Sequence, residues 1–147
     1  MKKIIVILFL LTIVLSGCTS SEDNISILGY TDFLGMLEES GISFEEGYHI
    51  PVRTGWLSVG ARQIKIGDDI ISIYEYITNQ EMENDAGFVQ PDGFGISRPD
   101  VGTQVSWASY PYWFKGGRII VNYVGENEQI INFLTEIFGE NFAGHRR

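Results

Sequence analysis

Cys18 is the only cysteine in this chain of 147 residues, and it is the residue with the clearest potential for chemistry. A single thiol cannot form an intramolecular disulfide, so its chemistry is that of a nucleophile attacking an external electrophile. Two lysines at the start of the chain precede an apolar run, residues 4–15, and two small residues lie between that run and Cys18. This layout is typical of an export signal. The apolar run is too short for a membrane-spanning helix, which needs about 20 residues.

The residues Leu15-Ser16-Gly17-Cys18 resemble the lipobox of bacterial lipoproteins, both in type and in their place after the apolar run. In that family the cysteine sulfur receives a diacylglyceryl group, and the preceding peptide is then removed. The resemblance implies cleavage between Gly17 and Cys18 and a lipidated Cys18 as the mature N-terminus. It also implies the extracytoplasmic face of the cell membrane, and Thr19 is compatible with the outer membrane of a two-membrane cell. The alternatives are an ordinary secretory signal or a single anchor helix with a chance cysteine.

Length and charge limit what the mature chain can be. Removal of residues 1–17 leaves 130 residues, enough for one domain, and the loss of two lysines changes the net charge from −9 to −11. Such an acidic chain has no basic patch for a nucleic acid, and an anionic bilayer would repel it, so membrane contact is expected through the lipid alone. We expect a lipidated cysteine and polar tether in 18–27, one globular domain in 28–144 and a tail in 145–147.

The pattern of apolar residues predicts an α+β domain with elements in the order α-β-β-α-β-β-α. Helical spacing predicts a first helix near 31–40 and a last helix near 126–138, and a capping box at Thr78-Asn79-Gln80-Glu81 predicts a short polar helix between them. Two-residue hairpin turns are predicted at Gly67-Asp68 and Gly116-Gly117, and a shift of 49 residues superposes them as a weak two-unit repeat. We expect a four-stranded, mainly antiparallel sheet with the helices on one face.

The sequence WASYPYWFKGG, residues 107–117, is unusually rich in aromatic side chains. In one interpretation its alternate rings enter the core of a strand, as aromatic side chains on sheets often do. In the other they form an exposed surface that binds a glycan, a peptide or an envelope protein, because such side chains dominate binding sites. The residues of this candidate surface are Trp56, Trp107, Tyr110, Tyr112 and Trp113.

Catalytic motifs are absent from the sequence. The two histidines, His49 and His145, lack the spacing of a zinc site, and no nucleophile motif or phosphate-binding glycine loop is found. We therefore expect no metal, no cofactor and no catalytic residue. A hydrolase with a site near His49 and scattered carboxylates remains an alternative.

The region 28–144 is similar to a family of small bacterial lipoproteins of unknown function. The similarity is carried by FLGMLEESG, by IISIYEY, by Trp107 and Pro111 before GGRIIVNYVG, and by the closing FLTEIFGENFAG, which gives the pattern YVG, FG and FAG. No catalytic residue is known for that family, so the resemblance implies a location and a fold. The leading hypothesis is a lipid-anchored, extracytoplasmic, non-catalytic binding or interaction module. An envelope structural or assembly component is the second hypothesis.

Overall fold

The computed structural model describes residues 28–52, 56–99 and 102–146. The predicted signal peptide in 1–17, the lipidation site at Cys18 and the tether lie outside these ranges. None of the helices within them is long and apolar enough to cross a membrane.

The described residues form three helices and one six-stranded antiparallel sheet, with a second sheet of two short strands, so the predicted α+β class is confirmed. The strand order of the main sheet is β1-β2-β3-β7-β6-β8, and β4 pairs with β5 alone. In chain order the elements are α1 (Tyr30–Glu39), β1 (Glu45–Ile50), β2 (Ala61–Ile66), β3 (Asp69–Glu75), α2 (Asn79–Ala86), β4 (Gly95–Ser97), β5 (Gly102–Gln104), β6 (Pro111–Gly116), β7 (Ile119–Val124), α3 (Glu128–Phe138) and β8 (Ala143–Gly144).

The predicted four-stranded sheet and the predicted element order are wrong. The residues before the first predicted turn form two strands, β1 and β2, which pair with a bulge between Glu46 and His49. After α3 the chain returns and adds β8 to the outer edge of β6. The two-residue length of β8 gives no alternating pattern in the sequence, and this explains why it was not predicted.

The helices cover both faces of the main sheet, which corrects the prediction of helices on one face. Successive side chains of a strand point to opposite faces. In β3, Ile71 and Ile73 join a core with α1 and α3, whereas Tyr74 joins a second core on the other face. Met82 of α2 and Trp113 of β6 belong to this second core. The polar sequence of α2 is consistent with its place, because only a narrow stripe of the helix is buried.

Glycine sets both hairpin turns. Gly67 has a φ of 61° and Gly117 a φ of 58°, while every described non-glycine residue has a negative φ, which defines a type II′ turn in each case. The turn at Gly67-Asp68 is confirmed. The second turn is Gly117-Arg118, one residue later than predicted, because Gly116 pairs with Ile119 as the last residue of β6.

The first described residues are fastened to the end of the sheet that carries this second turn. The carbonyl oxygen of Leu28 accepts a hydrogen bond from the backbone N–H of Arg118 at 2.9 Å. The backbone N–H of Tyr30 donates to Oε1 of Glu75 at 2.9 Å, and the Arg118 guanidinium lies 2.8 Å from the same oxygen. The domain therefore begins at a fixed point beside the β6–β7 turn.

The two turn glycines permit a matched test of this attachment. A Cβ on Gly117 would lie 2.5 Å from the carbonyl oxygen of Leu28, whereas a Cβ on Gly67 would meet nothing within 4 Å. We expect Gly67→Ala to lower the free energy of unfolding by about 1–2 kcal/mol, the usual cost of a side chain at positive φ. Gly117→Ala should cost about 1–3 kcal/mol more, because it also displaces Leu28. Urea denaturation of both variants measures the difference, and equal losses would show that the contact with Leu28 is unimportant.

Candidate functional site

A cleft of about 400 Å³ opens on the face of the main sheet that also carries α2. Its floor contains three polar side chains on neighbouring strands, Gln63 of β2, Ser72 of β3 and Asn122 of β7. They form one row across the sheet, because Gln63 pairs with Ser72 and Ser72 pairs with Asn122. Clefts of about 300–1,000 Å³ with a few convergent polar groups are typical of small-ligand sites.

Two tryptophans form the aromatic wall of the cleft. The rings of Trp56 and Trp107 meet edge to face, with 4.6 Å between centroids and an angle of 80°. Trp113 lies behind both of them at 6.4–6.5 Å and stacks on Tyr74, with 6.2 Å between those centroids. The wall is thus supported by buried aromatic side chains, which limits its movement.

The loop after α2 holds the tryptophans in place. The carbonyl oxygen of Gly93 accepts hydrogen bonds from the indole N–H groups of Trp107 at 2.9 Å and Trp113 at 3.2 Å. Gly93 has a φ of 75°, and a Cβ there would lie 2.8 Å from Cα of Gly144 in β8. Only glycine fits this position without displacing its neighbours. The described residues of this segment, 87–99 and 102–104 with the short strands β4 and β5, are therefore a structural support for the cleft.

A buried carboxylate fixes the segment that carries Trp56. Oδ2 of Asp85 in α2 accepts hydrogen bonds from the backbone N–H of Ser58 at 2.6 Å, from the Ser58 hydroxyl at 2.7 Å and from the Tyr76 hydroxyl at 2.9 Å. The Arg98 guanidinium lies 3.6 Å from the same oxygen. Burial raises the pKa of Tyr76, and the adjacent carboxylate of Asp85 raises it further, so the hydroxyl remains a donor.

Asp68 and Asp69 line one end of the cleft at the β2–β3 turn. The Asp69 carboxylate is directed to the opposite face of the sheet, where it accepts hydrogen bonds of 2.9 Å from the Tyr123 hydroxyl and from the side-chain amide of Asn127. Only Asp68 is therefore placed to present a carboxylate to this end of the cleft. No lysine, arginine or histidine is among the described residues that line the cleft. The described lining residues therefore offer no cation to pair with an anionic ligand.

The structure divides the predicted aromatic surface. Trp56 and Trp107 line the cleft, whereas Tyr112 and Trp113 are buried on opposite faces of the sheet, with 2% and 1% of their surface exposed. Tyr110 is 48% exposed and stacks on His145, 4.2 Å between centroids, against a separate shallow depression. Only Trp56 and Trp107 of the set are therefore brought together in a position to contact a ligand.

His49, the centre of the hydrolase alternative, lies exposed in β1 and is not among the residues that line the cleft. In the described parts of the chain, no group of three or more histidine, cysteine, aspartate or glutamate side chains could hold a metal ion.

Sequence reasoning missed Gln63, Ser72, Asn122 and Asp85. The sequence carried a signal for one of them, because Asn122 interrupts the otherwise apolar run IIVNYV. Asp85 gave no signal, because its partner Ser58 is 27 residues away in the chain and most residues of the helix that carries it are polar.

Comparison with known proteins gives no match to a family model, to a curated protein or to a solved structure. The function is therefore inferred from the cleft and from the sequence.

Tyr123, whose buried hydroxyl donates a hydrogen bond to Asp69, leads to a prediction at alkaline pH. Burial raises its pKa to about 12; the N–H of Asn127 opposes this shift and the Asp69 carboxylate adds to it. The stabilisation by the neutral hydroxyl is complete below pH 10, the usual tyrosine pKa, and is lost as the pH rises through about 12. The wild type should lose unfolding free energy as the pH rises from 10 to about 12. In Tyr123→Phe, which has no hydroxyl to ionise, we expect this loss to be smaller by about 1–2 kcal/mol.

Urea denaturation at a series of alkaline pH values measures this change. Tyr48→Phe is the control, because Tyr48 is 83% exposed. An alkaline slope that is the same in Tyr123→Phe and in the wild type would contradict the prediction.

Proposed function

We propose that this protein is a lipid-anchored, extracytoplasmic bacterial lipoprotein that acts as a non-catalytic binding module. The lipid on Cys18 holds it to the cell membrane, or to the outer membrane of a two-membrane cell. Two acyl chains give stable anchoring, since each buried methylene contributes about 0.8 kcal/mol. The ligand or partner, a glycan or an envelope protein, occupies the cleft.

The observation that carries the binding function is the cleft between Trp56 and Trp107. It combines a supported aromatic wall with a row of hydrogen-bonding side chains on a rigid sheet, and rigid elements hold binding groups more accurately than loops do. The fixed start of the domain at Leu28 supports the anchoring function, because at most about 35 Å of extended chain separates it from Cys18.

A photo-crosslinking amino acid at Ile70, in living cells, tests the binding function. Ile70 lines the cleft and is 50% exposed. Met36, 37% exposed on α1 at the opposite face of the sheet, is the matched control position. We expect one species to be captured from Ile70, not from Met36, and to be lost when Trp107→Ala is added. Equal capture from both positions, or none, would contradict a ligand site in the cleft.

A further inference from the structure

Asn122 is a polar residue of the cleft floor whose side chain makes little use of its hydrogen-bonding groups within the protein. It is 4% exposed, and the only hydrogen bond of its side-chain N–H₂ to a described residue is a long one, 3.4 Å to the carbonyl oxygen of Tyr112. No described residue donates a hydrogen bond to its side-chain oxygen. Since this oxygen has no described protein donor and yet is not fully enclosed, it is open to the cleft. An apolar side chain of similar volume would serve the fold equally well at this position, so the amide in the cleft floor points to a ligand.

The row of polar side chains indicates which groups that ligand presents. The Gln63 amide donates to the Ser72 hydroxyl at 3.3 Å, and Asn122 follows on the next strand. Amides and hydroxyls both donate and accept hydrogen bonds, whereas an ammonium group only donates and a carboxylate or phosphate only accepts. Since strands lie about 4.8 Å apart, the row covers about 10 Å of ligand. Several hydroxyl groups along one molecule match a row of this kind.

The tryptophan wall and the charge of the cleft narrow the class of ligand further. Trp56 and Trp107 offer flat apolar surface to a ring that carries C–H groups on one face and hydroxyls at its edge. The lack of any cation among the described lining residues disfavours an anionic ligand. An ammonium ligand would suit the indoles and Asp68, but it would face the amide N–H groups of the floor.

We infer that the cleft binds a neutral, polyhydroxylated ligand, with a sugar ring of a glycan on the tryptophan wall and its hydroxyls on Gln63, Ser72 and Asn122. This inference rests on the proposed binding function and specifies its ligand. Asn122 determines the specificity for a hydroxyl group, because its side-chain amide can both donate a hydrogen bond to the hydroxyl and accept one from it.

The test uses the full-length protein, purified in a detergent without a sugar headgroup. A glycan array that carries neutral oligosaccharides with their amino-sugar and uronic-acid counterparts identifies the bound class, and tryptophan fluorescence titration measures the affinity. We expect a neutral oligosaccharide to bind at least about 10-fold more tightly than its charged counterparts, a difference of about 1.4 kcal/mol.

Asn122→Leu should weaken binding at least about 10-fold without lowering the melting temperature, since a leucine needs no hydrogen-bond partner. Asn132→Leu, at an exposed position of α3 on the other face, should bind like the wild type. Equal or tighter binding of amino sugars, absence of any bound glycan, or wild-type affinity in Asn122→Leu would overturn the inference. Specific capture from Ile70 without glycan binding would refute the sugar class and leave the binding function standing, whereas no capture would refute both.

Discussion

Cys18→Ser is expected to abolish lipid attachment and signal removal together. In the proposed pathway the cysteine thiolate attacks the lipid donor, and a serine hydroxyl is ionised too little at neutral pH to replace it. The wild-type protein should therefore have the mass of a chain that begins at Cys18 with a diacylglyceryl group. The variant should keep residues 1–17 and incorporate no labelled fatty acid. Mass spectrometry of protein from the native membrane and metabolic labelling measure these two properties.

A control variant separates the thiol from its sequence context. Adding Ser20→Cys to Cys18→Ser restores a thiol two residues beyond the predicted lipobox, and we expect no labelling, because the modification depends on the sequence Leu15-Ser16-Gly17 before the cysteine. An unprocessed wild-type N-terminus with a free thiol at Cys18 would contradict the anchoring proposal. The binding function of the cleft does not depend on this result, because crosslinking from Ile70 tests it independently.

Asp85→Ala is expected to cause the largest loss of stability, about 3–5 kcal/mol of unfolding free energy. The substitution removes three hydrogen bonds to a buried carboxylate, and bonds to a charged group contribute about 1.5–3 kcal/mol each. It also leaves the buried Tyr76 hydroxyl without its partner and the Arg98 guanidinium without its counter-ion. Chemical denaturation monitored by circular dichroism measures the loss.

Asp85→Asn is the matched control for charge, because it keeps an acceptor of nearly the same shape. We expect it to lose about 1–2 kcal/mol, less than the alanine variant. Both variants should shift tryptophan fluorescence to longer wavelength, because Ser58 holds the segment that places Trp56 in the cleft wall. A loss below about 1 kcal/mol in Asp85→Ala would show that the network is unimportant for stability.

Local signals in the sequence predicted local structure correctly. The turn at Gly67-Asp68 and the capping box of Thr78 and Glu81 both occur, because each depends on residues within a few positions of one another. Ile77 and Met82 flank this capping box at the positions of a hydrophobic staple, but they do not pack together, since Ile77 is exposed while Met82 is buried. An apolar residue beside a helix start packs only if the tertiary structure covers it.

Features that depend on distant residues could not be predicted. Two consecutive glycines at 116–117 do not reveal which one takes positive φ; in the structure Phe138 packs against Gly116 and Leu28 against Gly117. The aromatic segment illustrates the same limit, since the indoles of Trp107 and Trp113 both donate to Gly93, which is 14 and 20 residues away in the chain. The floor of the cleft depends on strand order, which brings β3 beside β7 and so Ser72 beside Asn122.

The fixed start of the domain at Leu28 has a consequence for orientation at a membrane. Leu28 lies at the end of the sheet where Glu75 pairs with Ile119, whereas Asp68 and Asp69 mark the opposite end, about 20 Å away along β3. If the lipid is attached at Cys18, the tether joins the molecule at the pole near Leu28, and the end of the cleft at Asp68 is the part of the sheet farthest from that point of attachment. With the tether extended away from the bilayer, a ligand would reach this end of the cleft without passing between the domain and the lipid headgroups.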